Sequence, residues 1–152
     1  MKPATILLVE DEESSAFLFQ HTITELGILH PLQVAQDGRE AMDYLEGNGR
    51  FADRTTFPIP SLIVLDLKMP RITGFEVLDW VRKQPELRRL IIIVMSASAS
   101  ESDVNRAYEL GANAYIVKPS GMEKLGDVLR SIRDFWLTHN YPPTIRGPAS
   151  GE

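Results

Sequence analysis

Short, almost uninterrupted apolar runs alternate along this chain with segments of helical periodicity, and that alternation narrows its fold more than any other feature. Residues 5–10 (TILLVE), 62–65 (LIVL) and 90–96 (LIIIVMS) are rich in β-branched side chains and too short for buried helices. A strand without polar alternation is covered on both faces, the mark of a parallel sheet between helical layers. Residues 32–35 (LQVA) and 114–117 (AYIV) read as two further short strands.

Between the runs, apolar residues recur three and four positions apart. Ala16, Phe19, Ile23 and Leu26 line a first helix that stops at Gly27, and Ala41, Met42 and Leu45 face inward from a second that ends in Gly-Asn-Gly. Phe75, Leu78 and Val81 mark a third helix closed by Pro85; Val104, Ala107 and Leu110 mark a fourth ended by Gly111; residues 121–139 form a fifth. Five strands alternating with five helices predict an α/β fold: a flavodoxin-like, doubly wound, five-stranded parallel sheet of order 2-1-3-4-5 with helices on both faces. A chain of 152 residues holds one such domain, expected over residues 4–137. Residues 138–152 are expected to form a loose C-terminal tail, too short for an effector domain.

Composition excludes several classes of function. A net charge of −5 argues against nucleic acid as the main partner. The absence of cysteine removes disulfides, thiolate metal sites and a cysteine nucleophile. The N-terminus turns acidic too soon for a signal peptide and no run is long enough to span a bilayer, so a cytoplasmic protein without a membrane partner is expected.

The stretch SLIVLDLKMP, residues 61–70, delivers one carboxylate, Asp66, to the end of a buried strand. A charge there costs solvation unless it has partners. In the predicted topology the first and third strands are neighbours, so Glu10 and Asp11 share a sheet edge with Asp66. Three carboxylates in one crevice repel, and at least one pKa rises unless a cation sits among them. Lys118 closes the fifth strand with a positive charge, and Ser96 closes the fourth with a hydroxyl. Oxygen-only ligands favour Mg²⁺ or Mn²⁺ over zinc. The same set suits a phosphoryl acceptor, because a carboxylate can form an acyl phosphate and the transfer needs mainly positioning and charge neutralisation. Asp66 is then the nucleophile. Taken singly, Glu10 and Asp11 could be a solvated acidic helix entry, Lys118 a surface lysine and Tyr115 an immobile core residue. Their convergence on strand ends favours the site.

The motifs LLVEDE, LIVLDLKMP…G, VMSAS and AYIVKP resemble those of the response-regulator receiver family of two-component signalling, in order and spacing over residues 4–137. The resemblance implies Asp66 as phosphoacceptor, Asp11 as direct metal ligand and Glu10 as its acidic neighbour. It implies that the backbone carbonyl of Lys68 completes the metal shell, and that Ser96 and Tyr115 are the switch pair. Lys118 is then the phosphate-binding lysine, followed by Pro119 through a cis bond. The implied partner is a sensor histidine kinase. The long insert at residues 48–60 and the SIRDFWLTH ending of the last helix resemble the stand-alone regulators of phytochrome kinases. KPSGMEKL and the serine at position 96 depart from the commoner pattern.

On the last helix, Met122, Leu125, Leu129, Ile132 and Trp136 form one apolar stripe that Val128 and Phe135 widen. The extra width predicts a homodimer through the fourth helix, fifth strand and fifth helix. Lys68 is expected to point its side chain to solvent, where it and Ser98 tune how fast water reaches an acyl phosphate. His21, His30 and His139 are too scattered for a metal site, and Gly38, Gly47, Gly49 and Gly74 read as turns and helix stops. Two competing functions are an aspartyl phosphohydrolase, which lacks a second acid or base beside Asp66, and a phosphorylation-independent adaptor, which has no use for three clustered acids.

Overall fold

The structure, a computed structural model, describes residues 4–148. Strands β1 (Ile6–Val9), β2 (Leu32–Ala35), β3 (Leu62–Leu65), β4 (Ile91–Ser96) and β5 (Ala114–Val117) alternate with helices α1 (Glu13–Glu25), α2 (Gly38–Glu46), α3 (Gly74–Lys83), α4 (Glu101–Glu109) and α5 (Met122–Asp134). All strand pairs are parallel and the order is β2-β1-β3-β4-β5, as the alternation predicts.

Although the central strands are apolar throughout, their side chains still alternate between two cores. Leu7, Val9, Ile63, Leu65 and Ile92 face α2 and α3. Ile6, Leu8, Leu62, Val64, Ile93 and Met95 face α1 and α5, meeting Phe19, Ile23, Leu125, Leu129 and Ile132. A third cluster, Leu67, Phe75, Val94 and Ala107, seats α4.

The insert before β3 is folded rather than loose. Phe51 and Phe57 pack against Tyr44 with ring centroids 5.1 and 5.9 Å away. The Arg54 guanidinium donates to the Tyr44 and Leu45 carbonyls at 2.7 and 2.8 Å, capping the end of α2. Tyr44 donates its hydroxyl to the Pro58 carbonyl at 2.8 Å. Burial, only partly offset by the Arg54 charge, pushes that phenol up to about 12. A second staple is Arg82, which donates to the carbonyls of Gly111, Arg88 and Leu90 at 2.7 to 2.9 Å. Its rigid fork of donors ties together the segments leading into β4 and β5.

Two expectations at the C-terminus are corrected. The apolar stripe of the last helix does not continue unbroken. After Asp134 the chain makes a π turn over Phe135–His139, with the Asn140 N–H bonded to the Phe135 carbonyl at 2.7 Å. Phe135, where the turn begins, is 52% exposed, while Trp136 and Leu137 within it pack on the α1–α5 core. Nor is the segment that follows loose over its described part. It passes the amino ends of the strands to the opposite face, where Ile145 packs on the α2–α3 core and Arg89 donates to the Thr144 carbonyl at 3.3 Å. Pro142 and Pro143 limit the chain entropy lost there, and Ile145 supplies apolar surface that gains from burial.

Candidate phosphoacceptor site

β1 and β3 run in register, Val9 opposite Leu65, so the next residues on each chain, Glu10 and Asp66, leave the sheet side by side. The Asp66 N–H donates to the Val9 carbonyl at 3.1 Å and the Glu10 N–H to the Ala35 carbonyl at 3.0 Å, so both backbones are held until the carboxylates depart. On the other side Ser96 pairs with Val117, and the Lys118 N–H donates to the Ser96 carbonyl at 2.6 Å. The sequence-predicted residues Glu10, Asp66, Ser96 and Lys118 therefore meet at one edge: β1 and β3 end level at Val9 and Leu65, and β4 and β5 run two residues further beside them, to Ser96 and Val117.

Candidate ligand oxygens of Glu10, Asp11 and Asp66 lie within 4.8 Å of one another. Glu10 and Asp66 are only 4% and 7% exposed. Burial pushes both carboxyls above their ordinary range, and for Glu10 the Lys118 ammonium opposes that shift while the Asp66 charge adds to it. Lys118 forms an ion pair with Glu10. Burial alone would lower the lysine, but its bond to Glu10 and the charges of Glu10 and Asp66 outweigh it and raise its pKa. One Asp11 oxygen, Oδ1, is buried with no hydrogen-bond partner. An acceptor with no donor, beside two carboxylates held together against their repulsion, fits a hard divalent cation.

Beside the acids, Ser96 is fully buried and its Oγ accepts the Ser98 N–H at 3.2 Å. Tyr115 packs on the Leu67, Phe75, Val94 and Ala107 cluster and donates its hydroxyl to the Ser98 carbonyl at 2.8 Å. Lys68 turns its ammonium outward, as expected, and pairs with Asp103 on α4 at 3.0 Å. Pro119 requires a correction: no cis peptide bond occurs among the described residues, so Lys118–Pro119 is trans. Trans is the lower-energy form even before proline, and Lys118 reaches both Ser96 and Glu10 from it.

Two contributors were not legible as site residues. Gly74, read from sequence as a helix stop, opens α3, and a Cβ there would fall 2.7 Å from Leu67 Cα, against the backbone that carries Asp66. The chain needs glycine so that α3 can approach this closely. Asp103 gathers Lys68 and the Ser98 hydroxyl, the latter at 2.7 Å. No spacing rule connects position 103 with 68 or 98. Below the acids lies a cavity of about 100 Å³ with Leu18, Phe19, Met95 and Leu125 in its walls.

Comparison with known proteins gives a consistent set of relatives. The family described as the response regulator receiver domain matches residues 6–130. The response regulator Rcp1 of Synechocystis is 36% identical over 135 residues, 89% of this chain and 90% of its own length. A probable methanogenesis regulatory protein, FilR2 of Methanothrix harundinacea, is 35% identical over 97% of this chain and 90% of its own. Among solved structures, the phosphorylated cyanobacterial phytochrome response regulator RcpA aligns with a TM-score of 0.85 at 34% identity, covering 93% of this chain and 99% of that one. The Mn²⁺-bound form of Rcp1 aligns with a TM-score of 0.83 at 35% identity, covering 93% and 100%.

Proposed function

The chain belongs to the response regulator receiver family, and we propose that it carries a signal as a phosphoryl group on Asp66, received from a sensor histidine kinase. The observation that carries this reading is the trio of Glu10, Asp11 and Asp66 facing Lys118 at the carboxyl ends of the strands. In the transfer, an Asp66 oxygen forms a bond to phosphorus while the phosphorus–nitrogen bond of the kinase's phosphohistidine breaks and the imidazole leaves with the electron pair. Hydrolysis later returns the carboxylate and inorganic phosphate.

Glu10, Asp11, Asp66 and the Lys68 backbone carbonyl would hold Mg²⁺, with Mn²⁺ as the alternative seen in Rcp1. Such an ion supplies neutralisation of the phosphoryl oxygens. Lys118 brings a fixed ammonium to the same oxygens, and Ser96 is the hydroxyl that leaves the Ser98 N–H to meet them. That movement loosens the turn on which the Tyr115 hydroxyl rests, biasing a two-state equilibrium of the α4–β5–α5 face.

Output runs through protein contacts. Tyr108, Val117 and Met122 are 49%, 48% and 50% exposed on α4, β5 and at the start of α5, and they support a homodimer through this face. The similarity to RcpA supports a bacteriophytochrome as the kinase. The net charge of −5 supports protein rather than nucleic acid as partner. No described helix is long and apolar enough to cross a membrane. The cytoplasm, where ATP charges the kinase, is the compartment that fits. The test is intact mass after incubation with a small acyl-phosphate donor and Mg²⁺. Gain of one phosphoryl group, lost in Asp66→Asn and in EDTA, is the expected result; no gain in the wild type overturns the reading.

A further inference from the structure

Asp103 links two segments that flank Asp66. It lies in the first turn of α4, where its own N–H is capped by Ser100 Oγ at 3.2 Å. Its Oδ2 atom pairs with Lys68 Nζ at 3.0 Å and accepts the Ser98 hydroxyl at 2.7 Å. Lys68 stands two residues beyond Asp66, on a mobile four-carbon stem that is 59% exposed at the side chain. Asp103 is the one carboxylate paired with it among the described residues. The other arm reaches further. Ser98 gives its N–H to Ser96 Oγ at 3.2 Å and takes the Tyr115 hydroxyl on its carbonyl at 2.8 Å. One carboxylate thus fixes both the loop after Asp66 and the turn on which Ser96 and Tyr115 rest.

We infer that Asp103 is a positioning residue for the reaction at Asp66: its carboxylate holds the Lys68 ammonium on the α4 side, leaving the approach of water to a phosphorylated Asp66 open, and it braces the Ser98 turn. This rests on the reading of Asp66 as phosphoacceptor. A phosphoryl group on Asp66 is a dianion, and an untethered ammonium two residues away is drawn toward it. Lys118 already answers the Glu10 charge from the opposite side, so the Asp103 pair decides which side of the site Lys68 occupies. A lysine leaning over the phosphoryl group occupies the space that attacking water needs. Exposed ion pairs are weak by themselves, but this one is reinforced by the serine hydroxyl on the same oxygen, and networks hold geometry better than isolated pairs.

The experiment measures loss of the phosphoryl group, by intact mass over time after donor removal, in the wild type, Asp103→Asn, Lys68→Met and the double variant. Asp103→Asn is expected to slow hydrolysis by about threefold or more, the lower end of coupling within one network. In the Lys68→Met background the same substitution is expected to change nothing, and Asp103→Glu, which keeps the charge, is expected to hydrolyse closer to the wild type than to Asp103→Asn. Thermal midpoints confirm that each variant is folded, and Ser100→Ala, which removes the cap and leaves the pair, separates a weakened α4 from a released lysine. Hydrolysis of Asp103→Asn at the wild-type rate or faster overturns the inference, as does a slowing that persists without Lys68 or that Ser100→Ala reproduces. A wild type that takes up no phosphoryl group at all overturns the reading of Asp66 and the inference with it.

Discussion

Lys118 and Glu10, 108 residues apart in sequence, form an ion pair across the carboxyl end of the sheet, with side-chain exposures of 24% and 4%. The pair places an ammonium beside a crowd of acids that burial would otherwise drive to protonate. Removing either partner leaves the other exposed to the full cost of its surroundings.

Lys118→Met is expected to lower stability by about 2 kcal/mol at neutral pH, less than for a fully enclosed pair because the lysine is partly solvated. The lysine's raised pKa stabilises the fold below its ordinary 10.5, and that contribution fades as pH climbs through the folded value. Urea unfolding would also show Glu10→Gln with Lys118→Met costing less than the sum of the two. Strict additivity would argue that the pair is not coupled.

Asp66→Asn is expected to stabilise the metal-free protein. Burial raises the Asp66 carboxyl above its ordinary 3.8 despite the opposing Lys118 charge. A raised acid favours the fold below its unfolded pKa and loses that benefit as pH rises through the folded one. The amide relieves the cost of the ionised form by about 1 kcal/mol, roughly 2–4 °C in Tm. Calorimetry in EDTA should find the gap over wild type open at neutral pH and closing as pH falls below the ordinary 3.8. A gap indifferent to pH would contradict this origin.

Gly74→Ala is expected to be costly out of proportion to one methyl group. The added carbon would meet the Asp66–Leu67 backbone, which cannot retreat as a flexible side chain would. A loss of about 2 kcal/mol or more, together with weaker Mg²⁺ binding by titration calorimetry, is the expected pairing. Destabilisation with unchanged metal affinity would detach Gly74 from the site.

Arg82→Lys is expected to cost about 2 kcal/mol in urea unfolding with the m-value unchanged. Lysine keeps the charge and loses the planar fork that reaches three carbonyls. Preserved stability would mean that charge, rather than fork geometry, holds those segments.

Ile145→Ala tests the returning C-terminal segment. A half-buried isoleucine seated on the α2–α3 core should cost about 1–2 kcal/mol when truncated, with phosphoryl uptake unaltered. No loss in Tm would mean that the segment rests on the surface without contributing to the fold.

What could be read in the sequence was what has a period or a strand end. The central strands were legible because runs such as LIVL and IIIVM admit few other states, and the sheet order followed from alternation and handedness. Glu10, Asp66, Ser96 and Lys118 stood out because each closes an apolar run. Arg54 and Arg82 did not, since their partners are backbone carbonyls, which leave no mark in a sequence. Asp103 was not singled out, and only the placing of α4 reveals Lys68 and Ser98 beside it. The π turn after Asp134 escaped for a similar reason, because i→i+4 and i→i+5 bonding draw on the same residues.

The course of the C-terminal segment gives the molecule two poles. Asp66 opens at one, while Thr144 and Gly147 come to rest beside Arg89 and Ile59, on the segments leading into β4 and β3, at the other. A tether attached at Pro148 therefore starts from the pole opposite the carboxylates. Immobilising the protein through that end leaves the phosphoacceptor facing solution, free to meet a kinase head-on.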